Sequence, residues 1–405
     1  MIYLALISIS GSILGFLSFL LFFPILGVCF LSTGFVFMVL SGYVGLGKFR
    51  NADSDSGIWS KFISSIHAGV DALLLGVFRV SLRRVPVSQF ARIHHELMEV
   101  TFLIEREGWD SDPRSYYARD PLLPKFVSSI NRKCGHISYK HLQCESAYSP
   151  YSFLPGSKDW NVEKKHQVNH AWSISHENLE RPWVVCIHGF GLGRPALDFA
   201  MLNARYLHLA MGFNLLFPIL SCHGPKALNF RSGDGFFTGD VLTTLNAISQ
   251  SVCDIRSWVA WLKSKTGVPP SLFGISLGGY HAAVVASLER DTPRVVLGVP
   301  LVDPADTVWS HAPLSWTRKA MKSGLTKERV NRIWSLTSPL KLSPPDMTKK
   351  SIFAANNDLI IKGNQVQLML EHWKDSKLKL CDTGHVTFRM ASDVTTFVGE
   401  GLVVD

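Results

Sequence analysis

The sequence predicts an α/β protein in which a mostly parallel central sheet is flanked by helices and preceded by an apolar N-terminal segment. Short apolar runs alternate with helical patterns from about residue 135 onward, which is typical of strands joined by crossover helices. These runs carry few polar residues, as expected for parallel strands buried on both faces. The N-terminal segment is set apart because no Asp, Glu, Lys or Arg occurs from Met1 to Gly47.

The charge-free residues 1–47 predict a transmembrane anchor. A bilayer core about 30 Å thick needs roughly 20 apolar residues in a helix, so this stretch has room for a two-helix hairpin with a turn near Pro24 and Gly27. One long tilted span is the alternative. A cleaved signal peptide does not fit, because the stretch has no basic start and no small-residue cleavage site followed by polar sequence.

The first basic residues after the anchor predict its orientation. Lys48, Arg50 and Lys61 follow the apolar stretch, and positive charges remain on the cytoplasmic side of a membrane. We therefore expect a bacterial inner-membrane protein with the bulk of the chain in the cytoplasm.

Composition excludes several classes of function. The formal net charge is +9, but the basic residues are dispersed and form no nucleic-acid motif; anionic headgroups explain the excess more simply. The seven cysteines are odd in number and contain no C-x-x-C pair, so they predict neither a disulfide framework nor a zinc site. His166 and His170 lack a carboxylate pattern, and we expect no metal and no cofactor.

Residues 48–134 are predicted to form a helical connecting region, with helical patterns at residues 58–82 and 88–106. The apolar stripe of the first helix suits either a membrane interface or a buried face. From residue 135 to 405 we expect the α/β domain. Its predicted strands are residues 137–148, 167–175, 182–187, 214–220, 271–273, 295–299, 352–355 and 378–380, and its clearest helices are residues 198–211 and 239–266.

A helical insertion at about residues 304–347 occupies the position of a small lid. It contains Trp309, Trp316 and Trp334 among basic residues. These aromatic side chains either contact an acyl chain or pack the insertion itself.

The motif Gly274-Ile275-Ser276-Leu277-Gly278 predicts a nucleophile. In the G-x-S-x-G pattern the serine occupies a strained turn between a strand and a helix, and side chains in place of the glycines would strike neighbouring backbone. An apolar strand precedes the motif and a run of small residues follows it, which is the context the motif requires. Ser276 is therefore the predicted nucleophile.

A serine hydroxyl needs a base and an orienting carboxylate, which follow it in the order acid, then histidine. Asp358 comes after the predicted strand at residues 352–355, and His385 comes after the strand at residues 378–380. Side chains at the carboxyl ends of parallel strands collect at one edge of the sheet. Asp303 and Asp382 are competing acids, but Asp358 has the expected position.

The loop His188-Gly189-Phe190-Gly191-Leu192-Gly193 predicts an oxyanion hole. It follows an apolar strand, and its backbone N–H groups can stabilise a tetrahedral intermediate. The expected donors are the N–H groups of Phe190 and of Leu277, the residue after the nucleophile. His188 is expected to pack and hydrogen-bond beneath the loop.

Several blocks together resemble a largely uncharacterised bacterial branch of the α/β-hydrolase superfamily. They are residues 181–191, Cys222-His223-Gly224-Pro225, Ser232-Gly233-Asp234-Gly235-Phe236 and residues 274–280, within a resemblance from about residue 172 to 397. The resemblance implies an α/β-hydrolase fold, a Ser-Asp-His triad at Ser276, Asp358 and His385, and ester hydrolysis; it implies no particular substrate. The block at residues 232–240 lies outside the general superfamily pattern. It either shapes the pocket mouth or is a loop leading into a helix capped by Asp240.

These observations predict a membrane-anchored serine hydrolase, esterase-like or lipase-like, acting on a small-molecule or lipid ester. An acyltransferase or thioesterase with the same triad is the first alternative. A non-catalytic membrane scaffold that retains the fold is the second. No nucleic-acid partner is expected.

Overall fold

The structure is a computed structural model that describes residues 10, 24–49, 58–81, 85–117 and 123–404. The chain divides into two compact units, each built from segments that are distant in sequence. The smaller unit consists of Met1–Leu82, Phe353–Gln365 and Lys379–Val394. The larger unit consists of Arg83–Ile352, Val366–Leu378 and Thr395–Asp405. The α/β region thus contributes two short segments to the smaller unit.

Two helices dominate the described part of the smaller unit: α1, Pro24–Phe49, and α2, Ile58–Ser81. They approach each other closely at two glycines. A Cβ on Gly42 would lie 2.0 Å from the carbonyl oxygen of Ser65, and a Cβ on Gly69 would lie 2.6 Å from that of Met38. Since non-bonded atoms do not approach so closely, glycine is what allows this backbone-to-backbone packing.

Helix α2 contains the apolar stripe for which the sequence predicted either a membrane interface or a buried face. Its first residues, Ile58 and Trp59, are 86 % and 78 % exposed, whereas Ala68, Ala72 and Leu75 are buried. The buried three form an apolar cluster with Leu359. The buried face of α2 is therefore formed by residues outside the apolar stripe, in which Leu74 is also 40 % exposed.

Nearly half of the predicted membrane hairpin lies outside the described residues, which omit residues 1–9 and 11–23. Gly27, expected near a turn, lies inside helix α1. In the described ranges of the chain, no helix is long and apolar enough to cross a membrane.

The described residues form one nine-stranded sheet, most of which belongs to the larger unit. The nine strands are β1 Ser128–Cys134, β2 Ile137–Glu145, β3 Val168–Ile174, β4 Trp183–Ile187, β5 Asn214–Pro218, β6 Ser271–Ile275, β7 Arg294–Gly298, β8 Lys349–Ala355 and β9 Lys377–Cys381. Their order in the sheet is β1-β2-β3-β5-β4-β6-β7-β8-β9. Strands β1, β2, β3 and β5 pair antiparallel, and β5, β4, β6 and β7 pair parallel.

The parallel strands are the most apolar ones, as the sequence predicts. Every residue of β4, β5, β6 and β7 is buried, which requires helices on both faces. Ile187 pairs with Gly274, and Ile275 pairs with Gly298. The segments that follow β4 and β6 therefore leave the same edge of the sheet side by side.

The remaining helices are α3 Phe90–Arg106, α4 Ser157–Val162, α5 Pro195–Met201, α6 Val241–Thr266, α7 Leu277–Leu288, α8 Pro304–His311, α9 Leu314–Lys322, α10 Lys327–Trp334, α11 Gly363–His372 and α12 Ser392–Leu402. Helix α6 begins where Asp240 accepts a hydrogen bond from the N–H of Thr243 at 3.1 Å, and it ends at Gly267 with φ 73°. The predicted cap role of Asp240 is confirmed.

Two further predictions of secondary structure are wrong. Strand β1 was not expected, because its sequence Ser-Ser-Ile-Asn-Arg-Lys-Cys is mostly polar and exposed; it starts before the expected domain boundary at residue 135. The single helix expected at residues 198–211 is instead α5 followed by a π-helical turn, Tyr206–Ala210.

Candidate active site

Ser276 lies at the junction of β6 and α7 in a conformation that residues with a side chain rarely adopt. Its φ is 53° and its ψ is −119°. Its N–H donates to the carbonyl of Gly298 at 2.8 Å, and its carbonyl accepts from the N–H groups of Tyr280 and Leu301, each at 3.1 Å. Backbone strain of this kind persists where surrounding bonds fix it, and it clusters at functional sites.

The two glycines of the motif are required by crowding. A Cβ on Gly274 would lie 2.2 Å from the carbonyl oxygen of Gly278, and a Cβ on Gly278 would lie 2.1 Å from that of Ile187. Helix α7 is buried along its whole length, and its N-terminus packs against the end of β4. The crowding expected from the sequence is present.

The glycine-rich loop after β4 passes directly beside Ser276. A Cβ on Gly189 would lie 3.3 Å from the Cβ of Ser276, so the backbone leading to the Phe190 N–H runs along the nucleophile. Leu277 begins helix α7, where the first N–H groups have no partner within the helix and carry partial positive charge. The structure therefore brings the segments of both predicted donors to Ser276.

Buried polar groups hold this loop from below. His188 is fully buried, with Nδ1 2.8 Å from the carbonyl oxygen of Gly189 and Nε2 accepting from the Leu220 N–H at 3.2 Å. Burial lowers the pKa of His188, which favours the neutral ring these two bonds require. Asp198 accepts from the N–H of Gly193 at 2.8 Å. His188 thus has the supporting role predicted for it.

The block at residues 232–240, for which the sequence offered no mechanism, packs against the same loop. Ser232 Oγ donates to the carbonyl of Leu192 and accepts from the N–H of Gly224 at 2.8 Å. The rings of Phe190 and Phe237 have centroids 5.6 Å apart. A Cβ on Gly233 would lie 2.9 Å from the Phe190 ring. The block therefore fixes the loop that carries Phe190, in addition to capping α6.

The smaller unit contains the predicted acid and base as a hydrogen-bonded pair. Nδ1 of His385 lies 2.7 Å from Oδ2 of Asp358, and the side chains are 7 % and 8 % exposed. Oδ1 of Asp358 accepts from the N–H groups of Ile360 and Ile361, each at 2.8 Å. With Nδ1 as donor to Asp358, Nε2 of His385 is the nitrogen left to act as a base.

The competing acids have other partners. Asp303 caps helix α8 and accepts from the N–H of Asp306 at 2.8 Å. Asp382 is exposed and accepts from the side-chain amide of Asn356 at 2.6 Å. Of the three candidate carboxylates, Asp358 is the one paired with His385.

Opposing effects set the protonation of His385. Burial lowers its pKa, but the charge and hydrogen bond of Asp358, followed by the charge of Asp71, outweigh burial and raise the pKa above its ordinary value of 6.5. A carboxylate beside an imidazole stabilises the imidazolium form in this way. The imidazolium is the form a general base reaches when it accepts a proton.

Asp71 is a polar residue at this pair that sequence reasoning missed. It lies on helix α2, is fully buried, and accepts a hydrogen bond from the N–H of His385 at 2.7 Å. A lone Asp among Ala68, Ala72 and Leu75 was the available signal, because a carboxylate on an otherwise apolar face needs a buried partner.

The tryptophans of the insertion and the two histidines noted in the sequence pack against, or hydrogen-bond with, other residues. Trp334 is buried and donates to the carbonyl of Val241 at 2.9 Å, and Trp316 packs edge-on against Phe90 and Trp309. His166 stacks on Trp160, and His170 lies 3.0 Å from His141. Within the described residues no group of three or more His, Cys, Asp or Glu side chains is placed to hold a metal.

No family model matches the chain. Over 325 residues it is 32 % identical to the uncharacterized protein MT2702 of Mycobacterium tuberculosis, covering 79 % of this chain and 78 % of that protein. It is also 31 % identical to the uncharacterized protein Rv2627c of the same species. That match again spans 325 residues, 79 % of this chain and 78 % of the relative. The chain belongs to their family.

Among solved structures, the chain is similar to an acetyl xylan esterase from Paenibacillus sp. R4. The TM-score is 0.53 at 15 % sequence identity, covering 79 % of this chain and 100 % of the esterase. A likeness at this identity concerns the fold. The mostly parallel sheet and its helices are those of the α/β-hydrolase fold, and the predicted fold class is confirmed for this part of the chain.

Proposed function

We propose that this protein is a serine hydrolase that cleaves carboxylic esters through an acyl-enzyme. The observation that carries the proposal is the strained backbone of Ser276, held between glycines at a strand-to-helix turn beside the Gly189 loop. Such a turn exposes the serine hydroxyl and places backbone donors next to it. A structural serine gains nothing from a conformation that costs of order 1–3 kcal/mol.

In the proposed reaction the hydroxyl of Ser276 attacks the ester carbonyl carbon while Nε2 of His385 takes the hydroxyl proton. Asp358 orients the imidazole and stabilises its charge, and the N–H groups of Phe190 and Leu277 stabilise the oxyanion. The imidazolium then gives its proton to the leaving alcohol. A water molecule, activated by the same imidazole, releases the acid and restores Ser276.

The proposal assigns Ser276, Asp358 and His385 to one triad, and chain order and chemistry support this step. The order Ser276, Asp358, His385 is that of α/β-hydrolases. The hydrogen bond between Asp358 and Nδ1 of His385 fixes the imidazole in the orientation that a general base at Nε2 requires. The competing carboxylates Asp303 and Asp382 bind the N–H of Asp306 and the amide of Asn356.

The substrate class is an ester with an apolar acyl group, and we extend the proposal to a membrane-attached enzyme acting on lipid-like esters. The support is the charge-free sequence of residues 1–47. Resistance of the protein to extraction from bacterial membranes by alkaline carbonate is the expected result. Full release of the protein would contradict the proposed anchor, and the reason for proposing a lipid substrate would be lost with it.

The activity is tested with purified full-length protein and p-nitrophenyl acetate, butyrate and palmitate. Ser276→Ala should abolish hydrolysis. Ser287→Ala, in the same helix, is a matched control, because no described residue is a hydrogen-bond partner of the buried Ser287 hydroxyl, which should be dispensable. Hydrolysis by neither folded wild type nor control would favour the non-catalytic scaffold. Transfer of the acyl group to an added alcohol, or preference for acyl thioesters, would favour the acyltransferase or the thioesterase.

A further inference from the structure

Helix α2, outside the α/β region, contributes a buried carboxylate to the loops that carry the acid and the base. Asp71 Oδ2 accepts from the N–H of His385 at 2.7 Å and from the N–H of Leu359 at 3.1 Å. Oδ1 lies 3.3 Å from the N–H of Val386. Leu359 directly follows Asp358, so a single carboxylate binds the backbone beside both members of the pair.

The surroundings of Asp71 form a built site. Its neighbours on α2, Ala68, Ala72 and Leu75, pack against Leu359, which keeps water away from the carboxylate. Gly384 lies so close that a Cβ there would be 2.9 Å from Asp71 Oδ2. A second bond ties the same segments, since His67 Nδ1 lies 2.8 Å from the hydroxyl of Thr387. Hydrogen bonds to a charged acceptor in such an environment are stronger than those between neutral groups.

We propose that Asp71 is a positioning residue: from helix α2 it holds the backbone of His385 and Leu359 in place and adds a second negative charge to the Asp358–His385 pair. Its role rests on the proposed function of His385 as a base. Asp71 acts through His385, so its removal should lower kcat and leave KM unchanged. Helix α2 then helps to position the proposed base.

The ionisation of Asp71 makes the arrangement sensitive to pH. Burial and the neighbouring charge of Asp358 raise the pKa of Asp71 to about 7, against the lowering effects of His385 and of the N–H donors. The titratable groups facing it are His385 and Asp358 from the two loops and His67 from its own helix, whose pKa burial lowers. Ionised Asp71 raises the pKa of His385, so loss of its charge should lower that pKa.

Two substitutions separate the charge from the hydrogen bonds. In Asp71→Asn the amide oxygen can replace Oδ2 and keep the two shorter bonds, so only the charge and the 3.3 Å contact are lost. In Asp71→Ala three N–H groups lose their acceptor. We expect kcat to fall by roughly 10- to 100-fold in the alanine variant, and the asparagine variant to recover much of that loss. The acid limb of the kcat/KM profile of Asp71→Asn should shift to lower pH, because the negative charge that raises the pKa of His385 is gone.

Asp382→Asn is the matched control, because Asp382 is an exposed carboxylate on the same loop with a bond to Asn356. It should leave both kcat and the acid limb unchanged. Wild-type kcat in Asp71→Ala would overturn the proposal. So would an unshifted acid limb in Asp71→Asn, or failure of both Asp71 variants to fold when Asp382→Asn folds, since either result assigns Asp71 to fold stability alone.

A measurement that needs no activity distinguishes this proposal from the proposed function. NMR titration of imidazole-labelled protein, with the His385 signal assigned through His385→Gln, reports the pKa of His385 directly. We expect a lower pKa in Asp71→Asn than in the wild type. An unchanged pKa would refute the coupling even if the enzyme is active, and a lowered pKa would support it even if ester hydrolysis is absent.

Discussion

Gly278→Ala should separate the nucleophile from its oxyanion loop. The added Cβ would lie 2.1 Å from the carbonyl oxygen of Ile187 and 2.6 Å from that of His188, and Cβ contacts below 3.0 Å essentially do not occur. Helix α7 and the end of β4 must therefore move apart by about 0.9 Å or more. Both obstacles are backbone atoms, so no side-chain rotation relieves them.

A displacement of about 1 Å between reacting groups costs on the order of 100-fold in rate. Overpacking of a buried site typically costs about 1–3 kcal/mol of unfolding free energy. We expect both in Gly278→Ala, measured as the rate of Ser276 labelling by a fluorophosphonate and as the midpoint of urea unfolding. Gly363→Ala is the control, because a Cβ there meets no atom within 4 Å. A folded Gly278→Ala protein that is labelled at the wild-type rate would refute the claim that this close contact sets the catalytic geometry.

Three further predictions concern charges. Asp358→Asn should lower kcat by about 10⁴-fold, as expected when an imidazole loses its orienting carboxylate; near-normal turnover would instead point to Asp303. Because the base must be neutral and the pKa of His385 lies above 6.5, ester hydrolysis should rise with pH through that raised pKa, and a rate that is flat from pH 5 to 8 would contradict the assignment. Lys226→Met should lower the unfolding free energy by about 3–5 kcal/mol, because it leaves Asp254, 2.6 Å away and 1 % exposed, without its cation. Lys263→Met, which breaks the exposed pair with Asp291, should cost under about 1 kcal/mol; equal losses in urea titrations would show that burial of the first pair does not matter.

The sequence predicted those features that depend on a few consecutive residues and their place on a strand. The turn at Ser276 is one, because the need for glycine at 274 and 278 is a local matter of crowding. The end of β8 is another: Asp358 follows a buried strand directly, and such positions meet at one sheet edge. Asp303 also follows a strand, but it caps helix α8, a use that its position alone did not reveal.

Features that depend on contacts between distant segments could not be predicted from the sequence. Asp71 is 314 residues before His385, and no periodicity relates the two. The block at residues 232–240 fixes the Phe190 loop through contacts of single atoms, such as the hydroxyl of Ser232, which no pattern of residue types encodes. Strand β1 was missed because its polar residues are exposed at a sheet edge, where pairing with β2 decides the conformation and hydrophobicity does not.

Covalent capture of Ser276 tests the central claim most directly. Full-length wild type, Ser276→Ala and Ser287→Ala would be treated with a fluorophosphonate, and the adduct measured by intact mass and located by peptide mapping. We predict one adduct per chain, on Ser276, in the wild type and in Ser287→Ala, and none in Ser276→Ala. A folded wild type that is not modified, or equal modification of Ser276→Ala, would contradict the assignment of Ser276 as the nucleophile.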